Sequence, residues 1–379
     1  MKHESSRKVR LLFITQELNY SSVNLSVAHT WVRELAQRSE ALHVIASRVT
    51  DVDLPSNVSV HSLGQESDRT RWQRARKLAA TVVSLVATRN VNAVMAHMVP
   101  AYALAVAPLA RTVRIPVVLW YTSHGRSLSL TWANRLVNAS VTASVESYPI
   151  PSNQAYVLGH GIDTDQFKPR AKQLANNSVV FGMAGRLTPL KGFEFCLQAL
   201  AALRCDGFPS ARMQIAGEPF YPSDHHYLQD LKRLAVTLDI QDVVEFIGPV
   251  RGNAMADFYG SLDVFVNWRA QPALDKTGLE AMACGTPVVS NNNAYQSVMG
   301  ELANDFLIGN TGDDLAIGIK RVFDLSPHAR QHASDRMRQA VVKNHSASGL
   351  ADRLVTVCDS LRQGLRPDFP SVAQGITQT

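Results

Sequence analysis

Short apolar runs alternate with helical stretches along this chain, and the alternation begins twice. Residues 9–15, 42–46, 58–61, 93–96 and 116–120 read as buried strands, with shorter candidates at 141–143 and 155–158. Residues 26–38 have helical spacing, with Val27, Trp31 and Leu35 on one side. The pattern restarts with strands at 178–183, 212–216, 243–247, 263–266 and 287–290, and helices at 192–203 and 225–238. Continuous apolar runs separated by helices imply βαβ units and parallel sheets covered on both faces. The expected fold class is α/β: two Rossmann-like, doubly wound parallel-sheet domains facing across a cleft. Residues 1–168 form the first domain and 169–344 the second, joined by the polar, Pro-bearing segment 165–177. A helix at about 345–364 is expected to pack back on the first domain, and residues 365–379 read as a frayed tail.

The formal charge of +6 is unevenly placed. Residues 1–168 carry 18 Lys and Arg against 11 Asp and Glu, whereas residues 169–379 carry 20 against 21. The densest basic piece is Arg69-Thr70-Arg71-Trp72-Gln73-Arg74-Ala75-Arg76-Lys77, followed by an apolar stretch. Such a helix suits peripheral contact with an anionic membrane; the plainer reading is a solvated helix face. Nucleic acid is not an expected partner, because neither an aromatic-rich sheet nor a groove-reading helix accompanies the charge. The first residues lack the apolar run of a signal peptide, and the four cysteines show no C-x-x-C spacing. The expected location is therefore cytoplasmic, at the inner face of the cytoplasmic membrane if that helix docks.

Two segments of the second half carry chemistry. Gly185-Arg186-Leu187-Thr188-Pro189-Leu190-Lys191-Gly192 places two cations at a strand-to-helix turn, where a diphosphate can sit. Lys276-Thr277-Gly278-Leu279-Glu280-Ala281-Met282-Ala283-Cys284-Gly285 places a carboxylate near the start of a short helix that a Gly stops. Together they suggest a pocket for a nucleotide with a diphosphate and a hydroxyl-rich group. Taken alone, Arg186 and Lys191 are ordinary loop cations and Glu280 is a helix-dipole carboxylate worth under about 1 kcal/mol. As exposed cations, Arg186 and Lys191 would matter little to fold stability. Adjacent His225 and His226 point about 100° apart on a helix and do not make a chelate, so no metal and no cofactor is expected.

These segments, with Leu119-Trp120-Tyr121-Thr122, His124-Gly125 and the run from Gly159 to Phe167, resemble the retaining glycosyltransferases of family 4 in order and spacing. The resemblance covers roughly residues 9–360 and implies the GT-B fold. It further implies sugar transfer from a nucleotide-sugar to a saccharide or lipid-linked acceptor with retained configuration, as in bacterial polysaccharide or glycolipid assembly. By resemblance, Gly185, Arg186 and Lys191 bind the donor diphosphate, Glu280 the ribose, and His124 the sugar. His97 and Arg126 are further candidates for the cleft, and His160 is structural.

The chain also departs from that pattern. Where the family has a second Glu, eight positions before Glu280, this chain has Pro272, followed by Ala273-Leu274-Asp275 in place of Gly-Phe-Gly. Asp275 and Lys276 are the candidates to replace those contacts, or else they only begin and cap the helix. No Gly lies between Gln16 and Asn24, which also argues against a G-x-G-x-x-G dehydrogenase. The alternatives are a transferase-like nucleotide-binding or scaffold protein of impaired turnover, and a nucleotide-sugar epimerase.

Overall fold

The computed structural model describes residues 9–19, 26–170 and 179–376. The loop after the first strand and most of the expected linker lie outside the described residues. Chain contacts divide into two units, residues 1–163 with 344–379 and residues 164–343.

Unit 1 holds a seven-stranded sheet in the order β3-β2-β1-β4-β5-β6-β7, and every pair is parallel. Its strands are β1 (Arg10–Leu18), β2 (Ala41–Val49), β3 (Val58–Ser62), β4 (Ala93–His97), β5 (Val117–Trp120), β6 (Ala139–Thr142) and β7 (Ala155–Val157). Four helices cross between them: α1 (Ser26–Arg38), α2 (Arg71–Ala87), α3 (Pro100–Thr112) and α4 (Leu128–Leu136). Leu11 and Phe13 of β1 enter one apolar layer with α1, and Leu12 and Ile14 enter the other with α2, α3 and α4. Successive residues of a strand point to opposite faces, so a strand covered on both must be apolar throughout.

Unit 2 holds a five-stranded parallel sheet in the order β10-β9-β8-β11-β12. Its strands are β8 (Val180–Ala184), β9 (Arg212–Ala216), β10 (Val244–Gly248), β11 (Val264–Asn267) and β12 (Val288–Ser290). The helices are α5 (Phe193–Cys205), α6 (Asp224–Thr237), α7 (Asn253–Ser261), α8 (Lys276–Ala283), two single turns α9 (Gln296–Met299) and α10 (Ala303–Phe306), α11 (Gly312–Asp324) and α12 (Pro327–His345). The chain winds outward from β8 through β9 to β10, then returns beside β8 as β11 and winds the other way. The switch point therefore lies between β8 and β11. Loops at the carboxyl ends of strands flanking such a point form a crevice suited to ligands.

At the end of α12 the chain re-enters unit 1 as α13 (Ala347–Arg362) and α14 (Val372–Ile376). Leu350, Leu354, Val357 and Cys358 of α13 are buried in the same layer as Trp31, Val32 and Leu35 of α1. The Trp31 indole donates to the Gly161 carbonyl at 3.1 Å. The segment expected to fray is instead anchored. Ser371 bridges to Tyr156 beside β7, and the Val372 side chain is fully buried. Phe369 packs against the core, and the Val157 amide donates to the Pro370 carbonyl at 2.8 Å, so several contacts together hold the segment.

Leu354 sits at 1% exposure in the layer that α1 and α13 share. Truncation to Ala should cost about 2–5 kcal/mol in urea unfolding. An unchanged midpoint would mean that α13 is not part of the unit 1 core.

Candidate functional site

The loops after β8 and β11 are tied together in three ways. The Ala270 amide donates to the Leu190 carbonyl at 3.2 Å. Gly192, at φ 60°, lies so close to Trp268 that a Cβ there would fall 2.2 Å from the indole ring. The Lys191 ammonium pairs with the Asp275 carboxylate, which also receives the Arg269 guanidinium at 3.1 Å. Gly185 turns the chain out of β8 at φ 140°, and the Lys191 side chain passes 3.4 Å from where its Cβ would stand. A larger residue at 192 would meet both an unfavourable backbone and the Trp268 ring, whereas at 185 the backbone alone opposes it.

Asp275 does two jobs. It caps α8, with Oδ1 accepting from the Thr277 amide and hydroxyl at 3.2 Å, while Oδ2 takes the two cations. Its side chain is 10% exposed. Burial opposes its ionisation, but Lys191 and Arg269 overcome that and hold the carboxyl well below the ordinary carboxylate range. Of the two sequence readings of Asp275, the structure shows the helix cap, and the other carboxylate oxygen is occupied by Lys191 and Arg269. Lys191 differs from expectation: its side chain is 13% exposed and ion-paired, so it is no bare surface cation. The sequence motif showed the lysine but not the partner 84 positions away.

Arg186 is exposed, with its guanidinium 5.4 Å from the centre of the Phe220 ring. Glu280 is partly accessible on α8 and accepts from the Tyr259 hydroxyl at 2.9 Å. Burial pushes the Glu280 carboxyl up from its ordinary value, against the pull of Lys276 and the Tyr259 hydrogen bond. Pro272 is exposed in the loop before α8, while Ala273 behind it is buried and held by Asn292. Arg269 was not singled out from the sequence. Its position just past the end of β11, beside the switch point, is the signal that would have found it. Asn267, Trp268 and Arg269 each keep a buried side-chain polar atom (Oδ1, Nε1 and Nε) without a hydrogen-bond partner among the described residues. Three such atoms in succession are unusual in a finished core and mark a place where a polar ligand would be welcomed.

The unit 1 candidates lie at the carboxyl ends of its central strands. His97 ends β4 and pairs with Thr15 of β1 at 3.0 Å, across the switch point of that sheet. It is 3% exposed and packs against Phe13 and Trp31, so its ring serves the core rather than an open cleft. His124 is partly buried in the loop after β5, where Tyr121 donates to the Gly125 carbonyl and the Ser123 amide to the Ser147 carbonyl. Arg126 follows it, exposed. His160 is buried and accepts from the Gly161 amide at 3.2 Å, while its own amide donates to His345.

Two changes separate the roles of the carboxylates. A carboxyl held low when folded adds stability above its ordinary pKa and loses it as pH falls through the folded value. Asp275→Asn should therefore cost about 3 kcal/mol at pH 7, and the gap from the parent should narrow below pH 3.8. A carboxyl held high does the reverse, costing stability once pH rises past its ordinary value of 4.5. Glu280→Gln should thus keep or raise the melting temperature at pH 7. Melting curves of both variants between pH 3 and 8 check this; a fall for Glu280→Gln as large as for Asp275→Asn would contradict it.

Residues 178–324 match the family profile described as glycosyl transferases group 1. Among curated proteins, a D-inositol 3-phosphate glycosyltransferase of Geodermatophilus obscurus is 30% identical over 206 residues, covering 50% of this chain. The match spans 45% of that relative, so the chain covers under half its length. Among solved structures, sucrose-phosphate synthase of Thermosynechococcus elongatus has a TM-score of 0.74 at 15% identity, covering 94% of this chain and all of that one. The Anabaena HepE protein in complex with UDP-glucose has a TM-score of 0.70 at 16% identity, covering 92% and 99%. The segment 178–324 is thus similar to the group 1 glycosyl transferases, and the chain as a whole has the GT-B fold of two Rossmann-like units.

Proposed function

We propose that this chain is a glycosyltransferase that moves a sugar from a nucleoside-diphosphate sugar to an acceptor with retention of configuration, in bacterial polysaccharide or glycolipid assembly. The observation that carries the reading is the joining of the loops after β8 and β11 around Lys191, Asp275 and Arg269, at the switch point of unit 2. In this reading the leaving diphosphate lies on Gly185, Arg186 and Lys191, with Arg269 and Lys276 adding positive charge. As the glycosidic bond breaks, charge grows on the departing phosphate, and fixed cations stabilise that growth more than they stabilise the intact donor. Glu280 accepts from the ribose hydroxyls, and the Tyr259 hydroxyl keeps it oriented. His124 is the proposed contact to the sugar. Same-face attack lets the leaving phosphate take the acceptor proton, so no separate base is required. The basic excess of unit 1 suits a phosphate-bearing acceptor, as the name of the G. obscurus relative also suggests.

A second reading has a specific observation behind it. Asp275 already neutralises Lys191, and Pro272 stands where the resembling family has a carboxylate. A nucleotide-binding or scaffold protein of impaired turnover would bind nucleoside diphosphates yet neither transfer nor hydrolyse the donor.

Purified chain incubated with UDP-glucose and other nucleotide-sugars, with and without phosphorylated acceptors, separates the two. Transfer requires both melting-point elevation by donor and release of nucleoside diphosphate. Arg186→Ala and Lys191→Ala should each remove on the order of 2–4 kcal/mol of transition-state stabilisation in kcat/KM. Arg186→Ala should leave the melting temperature unchanged, while Lys191→Ala lowers it by removing one of the two cations that offset the buried Asp275. Donor binding without any turnover would favour the second reading, and absence of nucleotide binding would defeat both.

A further inference from the structure

We infer that the α2–α3–α4 layer of unit 1 is a docking face for an anionic lipid bilayer. Between Asp68 and Glu146 the sequence contains ten Lys and Arg and no Asp or Glu. All of that stretch folds into three helices and the strands beneath them. α3 contacts α2 on one side and α4 on the other, and the three bury their apolar sides in one layer against the same sheet face. Their outer sides therefore make one continuous surface to which the three helices contribute cations and no carboxylate; Glu66, just before α2, faces Lys77.

The residues on that surface are arranged for an interface with lipid rather than for solution. On α2, Trp72, Arg76, Ala79 and Val83 are exposed at spacings of four, three and four, which is one helical stripe. Trp72 is 80% exposed and Val83 51%. On α4, Leu128 and Trp132 are 81% and 55% exposed, and the Arg135 guanidinium lies 5.1 Å from the centre of the Trp132 ring. Each outer helix thus presents an indole and an aliphatic side chain beside an arginine. Indoles favour the headgroup level of a bilayer, and arginine reaches phosphate while its stem lies on apolar neighbours. Arg69, Gln73, Arg76, Lys77 and Ala80 also line a shallow recess of about 370 Å³, which can seat an anionic headgroup. The Thr70–Gln73 capping box fixes the start of α2 beside that recess, so its cations are presented by a formed helix.

Charge complementarity selects anionic lipid, and the paired exposed indoles set it apart from a duplex, whose phosphates would use the cations alone. The face is built wholly from residues of unit 1, none of them a proposed donor contact, so the inference does not rest on the transferase reading.

The test is co-sedimentation of the full chain with phosphatidylcholine vesicles with and without phosphatidylglycerol, at low and high salt, with indole fluorescence read in parallel. Binding is expected only with phosphatidylglycerol, accompanied by a blue shift. A triple variant Arg69→Glu, Arg76→Glu, Lys77→Glu should bind vesicles on the order of a hundredfold more weakly. Trp72→Ala with Trp132→Ala should abolish the part of binding that survives high salt. Both variants should keep the parent melting curve and its elevation by nucleotide-sugar, since every altered side chain lies outside the core and outside unit 2. No vesicle binding at low salt, equal binding to phosphatidylcholine alone, or binding to duplex nucleic acid without vesicle binding would overturn the inference.

Discussion

A single carboxylate between two cations organises the second half of this molecule. Asp275 caps α8, receives Arg269 from the end of β11 and holds Lys191 from the loop after β8. A parallel doubly wound sheet leaves its carboxyl-end loops splayed unless something ties them. Here the tie falls between the two strands where the winding reverses. The Gly192–Trp268 contact and the Ala270–Leu190 hydrogen bond reinforce it with packing and backbone geometry. The two loops are thereby held together at the switch point.

The same tie sets a tension. An ammonium paired with a carboxylate is a weaker partner for phosphate than a bare one. Asp275 therefore tempers the electrostatic strength of the site while supplying its rigidity. Glu280, one helical turn further on, shows the opposite balance: its burial is only partly compensated, the condition often found where a side chain is kept for a ligand rather than for the fold. Of these two carboxylates, Asp275 supports the loops and the helix start, while Glu280 has only the Tyr259 hydroxyl as a side-chain hydrogen-bond partner among the described residues.

Much of this fold was legible in the sequence, for a physical reason. Strands buried on both faces must be apolar, so the runs in β1, β4 and β11 announce themselves, and the restart at β8 marks the second sheet. What was not legible depends on distance along the chain. The anchoring of Val372 and the Lys191–Asp275 pair each join segments far apart in sequence, whereas the return of the last long helix to unit 1 was expected. No local pattern carries such pairings. Arg269 was missed because the motif drew attention to the carboxylates before α8, whereas the strand end before them supplies the cation. His97 went the other way: its place at a strand end suggests a cleft, yet Phe13, Trp31 and Thr15 enclose it.

The account rests most heavily on where a diphosphate sits. A crystal structure of the full chain with a nucleoside diphosphate tests this directly. The expected density places the two phosphates against Gly185, Arg186 and Lys191, with the Lys191 ammonium drawn toward them from Asp275 and the ribose hydroxyls on Glu280. Phosphates bound elsewhere, with the Lys191–Asp275 pair undisturbed and Glu280 still contacting only Tyr259, would contradict the account.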